Sequence, residues 1–266
     1  MKIAIVTGAS SGMGREFVTQ LENHVSVDEI WVIARRRGAL EALNGLTKAT
    51  LRPVPLDLCE QDSFETLAAL LEAEKPDVKL LVNAAGFGKF GAWDQVSMED
   101  DLKMIDLNCK ALVSMTRLVL PYMGPGSHVL QLDSLSAFQP VPYLNTYAAT
   151  KSFVLSYTRG LNRELRGTGI RMMAMNPGWV KTEFFDHAMQ SDPESKVQNF
   201  SHVYEARDVV ASGLKALYRS KVDFFVHGVP FSAQTLLVKF VPHRFVMSMW
   251  QNQQKKPKNN RGLTSQ

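Results

Sequence analysis

Apolar runs alternate with amphipathic stretches along most of the chain. Six continuous apolar runs predict strands at 2–8, 29–36, 51–58, 78–86, 127–134 and 170–178. Helix-like patterns follow the first five of these runs, at 15–21, 39–43, 63–73, 98–122 and 146–166. Because the strand runs are continuous rather than alternating, the strands should be covered on both faces. The order predicts an α/β fold, a doubly wound parallel sheet in three layers with helices on either side.

Neither a linker nor an internal repeat interrupts this order, so we expect one domain over residues 1–250. The longest stretch without a clear period, 183–205, follows the last predicted strand. Loops at the end of a parallel sheet often close over a ligand. We therefore expect this stretch to contact a substrate.

The C-terminal stretch over about 232–250 has an unusual pattern. Its polar residues recur mostly every four positions on an otherwise apolar helix, and they are Thr235, Lys239, His243, Arg244 and Ser248. Pro242 should kink this helix or divide it in two. The segment is too short to span a bilayer, but it could cover a pocket, pack in a dimer or lie on a membrane surface. We expect burial in the fold or in a homodimer or homotetramer, with weak membrane contact through 235–261 as the alternative.

The net charge of +4 and the pI of 9.0 would suggest a nucleic-acid partner until the charge is located. The last sixteen residues, 251–266, hold four basic residues and no acid, so residues 1–250 sum to zero. A neutral body has no broad electrostatic footprint for nucleic acid, which argues against that class of partner. We expect the polar, turn-rich tail to be disordered.

Composition adds a few further expectations. With 45% hydrophobic residues and a mean hydropathy of −0.11, the chain can fill a sizeable core. Its two cysteines, Cys59 and Cys109, lack CxxC spacing, so we expect free thiols, no metal site and a reducing compartment. The strand run from residue 2 leaves no room for a secretory leader, and a cytoplasmic location is expected.

The first predicted strand runs into the turn TGASSGMG, with Gly8, Gly12 and Gly14 opening the first helix. Glycines let the backbone turn tightly and bring its N–H groups and the helix N-terminus against a pyrophosphate. The position of this turn between strand and helix favours nucleotide binding over a plain flexible turn. Ser10, Ser11 and Met13 belong to the same turn.

The stretch NTYAATKSF places Tyr147 and Lys151 four residues apart, on one face of a helix. Ser134 lies thirteen residues before the tyrosine at the end of a predicted strand, and Asn108 lies in an upstream helix. A phenol can donate a proton to a carbonyl oxygen that gains charge, and a nearby ammonium should lower the phenol pKa from about 10 toward neutrality. Ser134 could hold the same oxygen.

The spacing TGxxxGxG, together with Ser134, Tyr147 and Lys151, resembles the classical short-chain dehydrogenase/reductase family over roughly residues 2–185. The resemblance implies a Rossmann fold and a catalytic tetrad of Asn108, Ser134, Tyr147 and Lys151. It also implies that Lys151 hydrogen-bonds the nicotinamide ribose and that Asn108 holds a water that resupplies protons.

The end of the second predicted strand indicates which nicotinamide cofactor is bound. An acid about twenty residues after the glycine turn binds the ribose 2′-OH of NAD, whereas arginine accommodates a 2′-phosphate. Here that position is Ala34, and Arg35, Arg36 and Arg37 follow it. This favours NADP(H), with Arg35 as the first candidate for the phosphate and Arg36 as the second.

The resemblance extends to three further turns. It places Asp57 and Leu58 near the adenine, and the NAAG turn of Asn83, Ala84, Ala85 and Gly86 against the cofactor, with Ala84 departing from the family's second Asn. In NPGWVKTEF it implies that Pro177, Gly178 and Val180 border the nicotinamide and that Thr182 binds its carboxamide.

The substrate pocket should be formed by residues that flank the tetrad. The candidates are Leu135, Phe138, Tyr143, Trp179 and Phe184, with Phe87 and Phe185 beside them, although simple packing is an equally good interpretation for most of these. They predict an apolar pocket.

The residues favour an NADPH-dependent oxidoreductase that interconverts a small-molecule carbonyl and a secondary alcohol. The alternative is an NADP(H)-binding regulatory protein without chemistry. The intact set of Asn108, Ser134, Tyr147 and Lys151 argues against that alternative.

Overall fold

The computed structural model describes residues 1–192 and 196–255. Within them, seven parallel strands form one sheet in the order β3-β2-β1-β4-β5-β6-β9. The strands are β1 (Lys2–Thr7), β2 (Glu29–Ala34), β3 (Thr50–Pro55), β4 (Asp77–Asn83), β5 (His128–Leu132), β6 (Arg171–Met175) and β9 (Phe224–Phe225). A separate parallel pair joins β7 (Val180–Lys181) to β8 (Tyr204–Glu205).

Ten α-helices are present in the same residues. They are α1 (Gly12–Gln20), α2 (Arg37–Glu41), α3 (Gln61–Glu74), α4 (Met98–Ile105), α5 (Leu112–Val119), α6 (Asn145–Glu164), α7 (Phe184–Ala188), α8 (Ala206–Arg219), α9 (Val229–Leu237) and α10 (His243–Gln254). One π turn, Asp106–Ala111, joins α4 to α5.

The sheet has an apolar core on each face. Ala4 and Val6 of β1 pack in one cluster, whereas the alternate residues Ile3 and Ile5 pack in the other. Both sets are fully buried, as the continuous apolar runs predicted. The predicted α/β fold with a parallel sheet is confirmed. The strands end one to three residues earlier than predicted, because the last residues of each apolar run belong to the loops at the carboxyl edge of the sheet.

The long helix predicted over 98–122 is helical throughout but is not a uniform α-helix. It consists of α4, the π turn, α5 and a short 3₁₀ turn, Leu120–Tyr122. Asn108 lies within the π turn, and its side chain forms hydrogen bonds to two other parts of the chain. Single π turns inside helices often mark such special positions, and the hydrophobic period alone does not show them.

The stretch 183–205 is more structured than its missing period indicated. It contains α7, a 3₁₀ turn (Met189–Ser191) and β8. Phe185, Ala188 and Phe200 are buried in an aromatic cluster. Elements of two to five residues are too short to produce a period, so the sequence could not reveal them.

Pro242 divides the C-terminal segment into α9 and α10, as predicted, and stands directly before α10. The helix continues to Gln254, so residues 251–254 of the predicted tail are helical. Residues 256–266 lie outside the described part, and the disorder expected for the tail remains a prediction. None of the helices in residues 1–192 and 196–255 is long and apolar enough to cross a membrane.

Within the single chain, the C-terminal segment is not buried on every face, and its burial in a homodimer or homotetramer remains a prediction. Thr235, assigned to the polar stripe, is buried, whereas Leu236, Leu237 and Phe240 are exposed. The inward face of α9 is therefore not the one that the spacing of polar residues indicated.

The contact between α1 and the turn that follows β1 leaves no room for a side chain at Gly14. A Cβ there would lie 2.0 Å from the carbonyl oxygen of Gly8, so Gly14→Ala should force the backbone apart and destabilise the protein by about 1–3 kcal/mol. Gly38→Ala is the matched control, because Gly38 lies in α2 with nothing within 4 Å of its Cβ position. The control should be neutral or stabilise by about 0.4–1 kcal/mol. Urea unfolding tests the pair, and equal stability of the two variants would contradict this packing.

Candidate active site

A cavity of about 790 Å³ lies at the carboxyl edge of the sheet. The strand order reverses there, because β1 has β2 on one side and β4 on the other. Ligands of open α/β sheets bind at such points, where the loops after neighbouring strands diverge. The cavity extends from the glycine turn after β1 to α6 and the C-terminal helices.

The glycine turn forms one wall of the cavity. Gly8 has φ 67°, and a Cβ on it would lie 2.8 Å from the carbonyl oxygen of Ala84. The first turn of α1 contains no acidic residue, and Ser11, directly before it, makes no capping hydrogen bond within the described residues. The first N–H groups of this helix have no side-chain cap from Ser11, so an anion could bind them. Ser10, Gly12, Met13 and Gly14 line the same wall.

The basic residues lie at the far end of the cavity, after β2. Arg35 and Arg36 line it and are exposed. Arg37 forms a salt bridge with Glu41 at 3.7 Å, whereas Arg35 and Arg36 form none within the described residues. Two guanidinium groups are therefore available to a phosphate.

Asp57 and Leu58 line the cavity near these arginines. One oxygen of the Asp57 carboxylate accepts a hydrogen bond from the backbone N–H of Cys59 at 3.0 Å. This bond holds the turn after β3 in place.

Ala84, Ala85 and Gly86 line the cavity, but Asn83 does not. The Asn83 side chain is buried and donates to Thr116 Oγ1 at 3.1 Å and to Gln131 Oε1 at 2.9 Å. The prediction that Asn83 contacts the cofactor is therefore not matched by its position. As the last residue of β4, it points its side chain between helix and sheet, because successive residues of a strand alternate in direction.

Tyr147 and Lys151 stand on the cavity side of α6 and are both buried, at 8% and 6% exposure. The Lys151 Nζ lies 5.7 Å from the centre of the Tyr147 ring and donates to the carbonyl oxygen of Leu132 at 2.8 Å. Ser134, two residues after Leu132 in the sequence, also lines the cavity. The structure brings these three predicted residues together.

Asn108 does not line the cavity. Its Oδ1 accepts from the backbone N–H of Phe87 at 3.1 Å, and its Nδ2 donates to the Phe87 carbonyl at 2.9 Å and to Thr150 Oγ1 at 3.1 Å. These bonds tie the turn after β4 to α6, one residue before Lys151. In this structure Asn108 anchors the site, and its role in holding a water remains a prediction.

The expected lowering of the Tyr147 pKa is not found. Burial raises the pKa of the phenol, and the buried Asp133 carboxylate raises it further, while a hydrogen bond with Ser134 acts in the opposite direction. Burial also lowers the pKa of Lys151. The sequence indicated the spacing of the pair but not its desolvation, which is the largest influence on the Tyr147 pKa.

Asp133 is a residue of this site that the sequence analysis did not predict. It lies directly before Ser134, lines the cavity and is buried. Its carboxylate accepts from Asn176 Nδ2 at 2.5 Å, and its Oδ1 has no partner within the described residues. Burial raises its pKa, and the Lys151 charge opposes that shift. The available signal was an acid at the end of the apolar run HVLQLDS.

The turn after β6 supplies the wall opposite α6. Pro177, Gly178, Val180 and Thr182 all line the cavity, as predicted. Gly178 leaves space for a ring from α9, because a Cβ on it would lie 2.0 Å from a ring carbon of Phe231.

Some of the substrate candidates line the cavity and others do not. Leu135, Trp179 and Phe184 line it, as do Phe87 and Phe185. Phe138 instead packs on Phe224 with ring centres 5.5 Å apart. Tyr143 does not line the cavity either: it adopts φ 70°, and its carbonyl accepts from Gly91 N at 2.9 Å. Its side chain packs in the aromatic cluster.

The C-terminal helices close the remaining side, which the sequence had left open. Phe231, Gln234, Trp250 and Gln253 line the cavity. Trp250 stacks on Trp179 at 6.2 Å and donates from Nε1 to the Pro142 carbonyl at 3.0 Å. No local pattern could indicate these residues, because their position depends on contacts between distant segments.

Gln254 fastens the end of α10 to the segment after α7. Its Oε1 accepts from the backbone N–H groups of Gln198 and Asn199, both at 2.9 Å. Its Nε2 donates to the Asn199 carbonyl at 3.3 Å. The two segments that cover the cavity are therefore joined to each other.

The sequence model of the short chain dehydrogenase family matches residues 2–193. This chain belongs to that family. One relative is the NADP-dependent 3-hydroxy acid dehydrogenase YdfG of Salmonella typhi, which is 33% identical to this short chain dehydrogenase over 208 residues. The match covers 75% of this chain and 82% of that relative. This chain is also 33% identical over 189 residues to a short chain dehydrogenase of Pseudocercospora fijiensis, covering 68% of this chain and 60% of that relative.

Solved structures agree with the family. A serine dehydrogenase in its closed form, complexed with NADP+, has a TM-score of 0.73 and 28% identity. The match covers 84% of this chain and 93% of that one. The short chain dehydrogenase therefore shares its fold with an enzyme whose structure contains a nicotinamide cofactor.

Proposed function

We propose that this short chain dehydrogenase is an NADP(H)-dependent oxidoreductase that interconverts a carbonyl compound and a secondary alcohol. One observation carries the proposal: the buried pair of Tyr147 and Lys151 stands beside Ser134 in the cavity that the glycine turn opens. The NADP dependence of the relative YdfG and the NADP+ in the serine dehydrogenase structure support the choice of cofactor.

The residues present fit such a cofactor. The absence of a Cβ on Gly8 lets the glycine turn pack directly against the backbone of Ala84, and the first N–H groups of α1 suit a pyrophosphate. Arg35 and Arg36 would hold the 2′-phosphate, and Asp57 with Leu58 would border the adenine. Ala84, Ala85 and Gly86 would line the middle of the cofactor, and Pro177, Gly178, Val180 and Thr182 would border the nicotinamide. When bound, NADP(H) supplies or accepts the hydride.

The chain's own residues would manage the proton and the charge on oxygen. Ser134 would hold the substrate oxygen with its hydroxyl, so that a donor is already in place when charge develops. Tyr147 would give its phenolic proton to that oxygen in the reductive direction. The raised pKa of Tyr147 keeps the phenol protonated in the free protein, which suits a proton donor.

Lys151 would serve the oxidative direction, in which Tyr147 must lose its proton. Its ammonium is held on the Leu132 carbonyl, 5.7 Å from the centre of the phenol ring. A cation at this distance favours the phenolate. By the resemblance to the family, Lys151 would also hydrogen-bond the nicotinamide ribose.

The substrate that the pocket suits is apolar. Trp179, Phe184 and Phe185 form edge-to-face and tilted ring contacts above Tyr147, whose ring centre lies 5.6 Å from that of Phe184. Such walls favour an aliphatic or cyclic carbonyl compound over a small polar one. The homodimeric or homotetrameric state and the cytoplasmic location expected from the sequence remain predictions.

Replacing Tyr147 by Phe removes the proton donor but keeps the ring. We expect turnover of carbonyl compounds by Tyr147→Phe to fall by about 10²–10⁴-fold, with NADPH binding retained. Tyr143→Phe is the matched control and should keep turnover, because Tyr143 does not line the cavity. NADPH absorbance with a panel of ketones and aldehydes gives the readout. Undiminished turnover in Tyr147→Phe would sink the mechanism.

Replacing Arg35 by Ala removes one guanidinium from the 2′-phosphate. We expect the Kd for NADPH to rise roughly 10- to 100-fold, the range for a lost charge-assisted hydrogen bond, while the Kd for NADH changes little. Arg37→Ala should leave both constants unchanged, because Arg37 is engaged with Glu41. Fluorescence titration measures all four constants. Equal losses for the two cofactors in Arg35→Ala would count against the phosphate role.

A further inference from the structure

The C-terminal helices leave an exposed apolar surface, which we term the outward face: Leu236, Leu237, Phe240, Phe245 and Met249. Their exposed fractions are 60%, 60%, 79%, 52% and 67%. Phe240 lies in the turn directly after α9, where its backbone N–H donates to the Leu237 carbonyl at 3.0 Å, and Phe245 lies one turn before Met249 in α10. Large contiguous apolar patches on a soluble domain mark interaction sites.

Both helices also contribute to the cavity wall. Phe231 and Gln234 of α9 line the cavity, as do Trp250 and Gln253 of α10. The exposed apolar side chains of the outward face belong to the same C-terminal segment. The outward face therefore lies on the segment that covers the proposed substrate site.

The charged side chains around the outward face are all basic. Residues 224–266 contain no Asp or Glu. Within the described residues this segment carries Lys239, Arg244 and Lys255, and none of them forms a salt bridge there. The Arg244 guanidinium lies 4.9 Å from the centre of the Phe245 ring, so charge and apolar surface are interleaved. The sequence then adds Lys256, Lys258 and Arg261.

We propose that the outward face docks on an anionic lipid surface, with Phe240 and Phe245 entering the acyl boundary and Lys239 and Arg244 contacting the headgroups. Amphipathic helices with aromatic residues on one side and basic residues beside them bind membranes in this way. A second copy of the chain fits less well. A two-fold contact between two such faces would bring like charges together, and the segment offers no acid to pair with them.

The docked orientation places the cavity cover against the lipid. An apolar carbonyl compound dissolved in the bilayer could then reach Trp250 and Phe231 without crossing water. Lipid docking itself does not depend on the proposed reaction, because vesicle binding is measured without turnover.

Co-sedimentation of the full chain with vesicles tests the proposal. The wild type should bind mixed phosphatidylcholine–phosphatidylglycerol vesicles, bind pure phosphatidylcholine vesicles much more weakly, and lose affinity as salt is added. The double variant Phe240→Ser/Phe245→Ser should bind at least ~10-fold more weakly, since burying one Phe is worth that much or more. Lys239→Gln/Arg244→Gln should weaken binding by roughly fivefold for each charge removed.

Trp93→Ser is the matched control, because Trp93 is 85% exposed but lies between β4 and α4. It should bind vesicles like the wild type, and all variants should melt at the wild-type temperature because the altered side chains are exposed. Equal binding of the wild type and Phe240→Ser/Phe245→Ser would overturn the proposal, as would absence of binding to either vesicle. Light scattering without lipid tests whether a second copy of the chain occupies the outward face instead. If the wild type is a dimer and Phe240→Ser/Phe245→Ser is a monomer, the outward face is a dimer interface and lipid docking is overturned.

Discussion

The hydrogen bond from Lys151 to the carbonyl oxygen of Leu132 fixes the geometry on which the rest of the site depends. A buried ammonium is costly unless partners surround it, and here it has a strand-end carbonyl and the nearby Asp133 carboxylate. The bond holds α6 against the end of β5. Tyr147, one turn earlier on α6, therefore stands over the cavity, and Ser134, two residues after Leu132, lies beside it.

Desolvation acts on both members of this pair. Burial favours the neutral phenol at Tyr147 and opposes the charged form of Lys151. Under the proposed mechanism, the protonated phenol would give its proton to a carbonyl oxygen, and the oxidative direction would depend on the ammonium to stabilise the phenolate. Phe184, Trp179 and Trp250 line the same cavity as this pair, with the Phe184 ring centre 5.6 Å from that of Tyr147.

Features that local geometry dictates could be predicted from the sequence. Gly8 and Gly14 follow from a strand-to-helix turn, and Tyr147 with Lys151 follows from helical spacing. Features that depend on distant partners could not. Asn83 looks like a cofactor contact but bonds Thr116 and Gln131, and Phe138 packs on Phe224. The cavity cover at Trp250 and the desolvation of Asp133 likewise exist only once separate segments have packed together.

The central claim is that the buried pair transfers a proton while a hydride moves to a carbonyl carbon. Incubating the protein with NADPH deuterated at the transferable C4 position and a panel of apolar ketones tests it most directly. We expect deuterium to appear on the carbinol carbon of at least one alcohol as NADPH absorbance falls. Tight NADPH binding with no deuterated alcohol from any ketone would contradict the account and support the catalytically silent alternative.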